Sequence, residues 1–187
     1  MPVYRDQLVL YELPIFRLEL SLGGGITFGS VAALTNGRAN YILFQGLVSY
    51  CTGLAAASEG GFSDLAEQHE VKAFHDAQLY PEKDLFQTSA SSTFSANNHG
   101  PQIKALLEAG QYDAALKICR QTGYDKNRAY IYTNTRGFNP RVPFRYVIVP
   151  QALVLSLLSP SDPRLISRDA ILARVQHRET IDPRTLQ

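Results

Sequence analysis

Long apolar runs, paired metal-ligand motifs and surplus charge are all missing from this chain of 187 residues. A membrane-spanning helix needs roughly 18–20 consecutive apolar residues. Every apolar stretch here is interrupted by charged or polar side chains well before that. The start, MPVYRDQLVLYELP, carries acids inside its apolar run and no small-residue cleavage site, so it does not read as a secretory signal. Cysteine is scarce: Cys51 and Cys119 are the two. Both lie in apolar, helical-looking segments, and the expectation is two buried thiols in a reducing cytoplasm. A zinc site would need spaced pairs such as CxxC or HxxxH, and none occurs. The glycine run GGGITFGS lacks the Gly-Lys-Ser/Thr that would make it a phosphate-binding loop. Internal repeats and low-complexity tracts are also missing.

What is present is an ordinary globular composition. Hydrophobic residues make up 45% and aromatics 10%, which argues against disorder. The length fits one domain able to bury a core without staples. The formal net charge of +1 conceals two opposed halves. Residues 1–116 hold six basic and twelve acidic side chains, and residues 117–187 hold twelve basic and five acidic. Ten of those twelve are arginine. Such asymmetry points to an acidic region and a separate surface facing anions.

Along the chain, 7–22 reads as extended segments broken near Pro14. Asn36 opens a helix to about Ser58, with an apolar stripe through Phe44, Leu47, Val48, Cys51 and Leu54. FSDL and HEVKAF follow as short segments joined by Ala66–Gln68, a hairpin-sized connection. Residues 85–101 read as a third strand running into a polar loop. QIKALLEAG (102–110) and QYDAALKICRQTG (111–123) read as helices, each closed by a glycine. RAYIYTNT (128–135) alternates like a strand, and FRYVIVP (144–150) resembles a buried one. QALVLSLLS (151–159) fits a helix or a strand extension. SRDAILARVQHR (167–178) reads as a short helix capped by Ser167. The order implies an α/β or α+β fold, a mixed central sheet flanked by helices. We expect a single domain, its core about 36–150, with a helical extension over 151–187.

One segment carries chemistry. In Gly61–Phe74, Glu70 and Lys72 occupy alternate strand positions and so share a face. A hairpin would return Asp64 beside Glu70. Two carboxylates and an ammonium on a short strand are costly to bury unless they serve one another or a metal. Hard oxygen donors suit Mg²⁺, and a lysine beside it could orient or deprotonate a water. His69 points to the opposite face. Glu67, in the turn, is the alternative first acid, and Gln45 could approach the same site from the preceding helix.

Asp, a short connection and Glu-x-Lys resemble the PD-(D/E)xK nuclease superfamily, best known from type II restriction endonucleases. The order of elements over roughly 36–150 resembles that family too. Ser63 stands where the motif has proline, and five residues separate Asp64 from Glu70, so a tight turn is required. The resemblance implies a restriction-endonuclease-like fold, with Asp64 and Glu70 as Mg²⁺ ligands, Val71 lending a backbone carbonyl and Lys72 acting on water. It implies a sequence-specific endonuclease on double-stranded DNA, working as a homodimer on symmetric sites. Two segments are candidate DNA contacts. The polar run 88–99 offers Ser89, Ser91, Ser92, Asn97 and Asn98. The connection 134–141 offers Arg136, Asn139 and Arg141, in a stretch where arginines alternate with Tyr130, Tyr132 and Tyr146. A non-catalytic nucleic-acid-binding protein, with the acid–lysine cluster as an ion-pair scaffold, is the competing expectation. A repair or structure-specific nuclease of the same chemistry is a third.

Overall fold

The computed structural model describes residues 8–13, 39–56, 65–73, 96–133 and 144–182. Five strands form one sheet: β1 (Leu8–Leu13), β2 (His69–Ala73), β3 (Ala129–Thr133), β4 (Phe144–Pro150) and β5 (Val175–Thr180). Their order is β2-β3-β4-β1-β5. β2 runs parallel to β3 and β5 parallel to β1, while β3/β4 and β4/β1 are antiparallel. The sheet is therefore mixed, and the chain belongs to the α+β class. The helices are α1 (Ala39–Thr52), α2 (Ala96–Glu108), α3 (Tyr112–Cys119), the single turn α4 (Gln151–Val154) and α5 (Arg168–Arg174).

β3 explains the layering. All five of its residues are buried, because it is an inner strand with both faces covered. On one face Tyr130 and Tyr132 join Leu8, Leu10, Val147 and Val149 under Ile103, Ala115 and Cys119 of α2 and α3, and Ile171 of α5. On the other, Ile131 joins Leu13, Val71, Phe144 and Tyr146 against Val48 and Leu54. Tyr146 stacks on Tyr11 of β1, with ring centroids 4.9 Å apart. Because β2 is parallel to β3, the chain needs a crossover between them, and α2 and α3 lie within it.

Several sequence expectations need correction. α1 ends at Thr52 rather than Ser58, closed by Gly53 at φ 70°, the left-handed C-terminal position glycine favours. Gly100-Pro101 reads as a breaker, yet α2 begins at Ala96 and runs through both. Asn97 and Asn98 thus lie in a helix, not in a polar loop. Packing of the fully buried Ile103 overrides the local preference. The segment after α3 is a π-turn, Arg120–Tyr124, rather than more α-helix. Ser167 does cap α5, its hydroxyl accepting from Ala170 N at 3.2 Å. That helix stops at Arg174, however, and the chain turns directly into β5. The C-terminal segment is therefore not a helical extension alone, since it supplies an edge strand of the sheet. β5 is exposed from Gln176 to Thr180, so no buried face imposed an alternation that the sequence could display.

The two cysteines pack against opposite faces of the sheet, so they cannot pair without dismantling it. Burial pushes both thiols up from 9.0 to about 12. A raised thiol value favours the folded state below the unfolded value and ceases to do so as pH climbs towards the folded one. The urea midpoint should therefore hold steady from about pH 7 to 8.5 and decline above about pH 9. Iodoacetamide at about pH 8 should label neither thiol until urea is added. Rapid labelling of folded protein would contradict this burial.

Candidate active site on strand β2

β2 forms beyond a tight turn. Leu65 bridges His69 in antiparallel fashion, its N–H donating to the His69 carbonyl at 2.9 Å. Ala66–Gln68 make one turn of 3₁₀-helix between them. The turn closes only because Glu67 and Gln68 take left-handed backbone angles, φ 57° and 60°, which cost energy for residues with a Cβ. This is the sharp reversal that the five-residue spacing between Asp64 and Glu70 demands. Asp64 itself lies outside the described residues.

The strand's two-residue period then sorts the side chains. His69 and Val71 face α1's side of the sheet, and His69 is fully buried with its Nδ1 3.0 Å from the Ala66 carbonyl. Glu70 and Lys72 point to the other face, opposite Tyr130 and Tyr132 in the parallel register. The Lys72 ammonium donates to Glu70 Oε1. The lysine side chain is 4% exposed and the glutamate 14%, so the pair opens to solvent on the carboxylate side. The shared strand face expected of Glu70 and Lys72 is the one they occupy, and they form an ion pair there.

Around them stands a tyrosine wall. Tyr130 and Tyr132 stack 6.1 Å apart, and Tyr124 meets Tyr130 edge-on at 5.8 Å. Burial raises the Tyr132 hydroxyl well above its usual range, with Tyr124, Tyr130 and the Glu70 carboxylate adding to the shift. Burial also raises Tyr130, partly opposed by its hydrogen bond from Asn127 Nδ2 at 3.1 Å. These hydroxyls stay neutral at ordinary pH and supply no competing charge beside the ion pair.

Backbone direction matters as well. The Gln68 carbonyl accepts from Arg128 N on the β3 side, and the His69 carbonyl accepts from Leu65 N on the opposite side. By strand alternation the Val71 carbonyl is directed to the Leu65 side. The Glu70 carboxylate and the Val71 carbonyl are hard oxygen donors of the type Mg²⁺ takes. Among the described residues no group of three His, Cys, Asp or Glu side chains is gathered for a metal.

The expected DNA contacts fare differently. Ser89, Ser91, Ser92, Arg136, Asn139 and Arg141 lie outside the described residues, and Asn97 and Asn98 begin α2. Tyr130, Tyr132 and Tyr146 are buried, so these three rings belong to the core and not to a reading surface. Four arginines of the basic half hold carboxylates: Arg120 with Asp125, Arg128 with Glu67, Arg145 with Glu12 and Arg164 with Asp162. Two of those partners belong to the acidic half. The opposed halves therefore interleave at these positions. Glu67, the alternative first acid, is exposed and engaged by Arg128. Asn127 was not anticipated, and only its place in the polar run 125–128 hints at it. Among the described residues, no helix is long and apolar enough to cross a membrane.

Compared with known proteins, the chain matches no family model, no curated protein and no solved structure.

The unequal exposure of Glu70 and Lys72 has an energetic consequence. Removing Glu70 takes the counter-charge from an ammonium that is nearly buried, while removing Lys72 leaves a carboxylate that can reach water. Glu70→Ala should cost about 3–5 kcal/mol, and Lys72→Ala clearly less. Urea unfolding of the two variants measures the order, and equal losses would contradict the asymmetry.

Proposed function

We propose that this protein is a Mg²⁺-dependent phosphodiesterase that cleaves double-stranded DNA, an endonuclease resembling the type II restriction enzymes. The observation that carries the reading is the Glu70–Lys72 pair, held two residues apart on one face of a short strand and nearly sealed from water. An isolated pair in that position contributes little net stability. A reactive site, in contrast, gains from a carboxylate and an ammonium fixed beside one another. The tight turn before β2 and the parallel crossover after it support the reading.

In this reading Glu70, Asp64 and the Val71 carbonyl would hold the metal, whose chemistry there would be polarisation of a phosphoryl group. Lys72 is within reach of the same carboxylate and, as the ammonium, orients the attacking water. Its confinement by Tyr130 and Tyr132 limits the positions the ammonium can take. Base reading falls to Arg136, Asn139 and Arg141 and the serine-rich segment, and a homodimer would match symmetric sites. A second reading, an ion-pair scaffold in a non-catalytic nucleic-acid-binding protein, is favoured by the direct contact between Lys72 and Glu70.

Plasmid DNA separates the two. With Mg²⁺ the wild type should give discrete fragments, and EDTA should abolish them. Glu70→Gln and Lys72→Met should each cut at least about 100-fold more slowly. Cleavage by both variants at the wild-type rate would sink the assignment. Salt-sensitive binding indifferent to EDTA, without cleavage, would identify the scaffold.

A further inference from the structure

A cavity of about 460 Å³ opens where β2 and β3 begin and β4 ends. Gln68, Asp125, Lys126, Asn127, Arg128 and Gln151 line most of it. We infer that it seats a phosphodiester of the nucleic-acid backbone adjoining the one cleaved, with Lys126 and Arg128 as its cations. The inference rests on the nuclease reading for its position and on the cavity's own chemistry for its ligand.

Gln68 precedes Glu70 by two residues, so the rim adjoins the start of the strand that carries Glu70. Asn127 is 7% exposed and donates to the Tyr130 hydroxyl. Tyr130 is the register partner of Glu70. One hydrogen bond and one ring thus join the cavity wall to the candidate active strand. The rim is further fixed by Arg128 N donating to the Gln68 carbonyl and Gln151 N donating to the Arg128 carbonyl.

The ligand class follows from the lining. Lysine, arginine and amide groups contribute many N–H donors. The lining carboxylate, Asp125, is met by Arg120 through both oxygens at 3.2 Å and by Gln151 Nε2 at 3.3 Å. Arg128 holds Glu67, but both side chains are about half exposed, and a pair so placed is readily exchanged for a phosphate oxygen. The strained turn supplies an independent pointer. Glu67 and Gln68 both sit at positive φ without being glycine, strain of the kind that clusters at ligand clamps. Here it places Gln68 at the cavity's edge.

The test is duplex binding in EDTA, read by anisotropy of a labelled DNA between about 50 and 200 mM salt. K126Q/R128Q is compared with K104Q/K117Q, exposed lysines on α2 and α3 away from the cavity. The first should flatten the dependence of log affinity on log salt by about 1, the one phosphate that the pair no longer neutralises. The second should leave the slope unchanged. Equal slopes for the two variants, or a wild type that binds no duplex, would overturn the inference. Inorganic phosphate at constant ionic strength should compete no better than chloride. Selective displacement by phosphate would make this a free-phosphate site and equally overturn it. Plasmid cleavage by Glu70→Gln reports separately: wild-type cleavage there defeats the nuclease reading, whereas a slope change at the cavity still establishes a backbone phosphate site.

Discussion

Burial of β3 on both faces is the constraint on which the rest depends. A strand of five residues with no exposed side needs a neighbour on each edge and a layer above and below. β2 and β4 supply the edges, α2 and α3 one layer, and the region around Val48 and Leu54 the other. The candidate site is a by-product of this arrangement. Glu70 and Lys72 come to rest beside two tyrosines because β2 must pair in register with the strand that carries them. Parallel pairing puts like parity on like faces, so the charged side chains fall on the face of Tyr130 and Tyr132 and Val71 on the face of Ile131.

Much of this was legible in the chain itself. The two-residue period placed Glu70 and Lys72 together and His69 opposite them. FRYVIVP announced β4 to the residue, and RAYIYTNT announced β3 almost as well. What escaped was whatever depends on distant partners. Ala96–Pro101 reads as loop by composition and is helical because Ile103 anchors the helix in the core. Val175–Thr180 has a single apolar residue and becomes a strand because β1 offers it an edge. Neither pairing order nor parallel direction is encoded in a local period, which reports burial and not the neighbour's identity. The site shared this limit. The acid–lysine pair was visible, while Asn127 and the polar cavity exist only where three strand ends meet.

Charge followed the same logic. An acidic first half and a basic second half invited a picture of two separate surfaces. The sheet interleaves early and late strands, so Arg145 of β4 lies across from Glu12 of β1, and Arg128 reaches Glu67 in the turn before β2. Arginine content alone thus overstated the cationic surface among these residues. Lys126 and Arg128 matter because of the cavity they border, not because the chain around them is basic.

The position of β1 also bears on how the molecule is assembled. It lies between β4 and β5, strands that arrive near the other end of the chain. Closing so long a loop is entropically expensive, and folds dominated by such contacts form slowly. On the ribosome β1 would emerge first and wait longest for both of its neighbours. Until they appear, its backbone polar groups and its apolar residues Leu8, Leu10 and Leu13 are exposed. Synthesis of this chain therefore has a vulnerable interval that lasts until β5 has been made, the circumstance in which a nascent chain most needs a chaperone's protection.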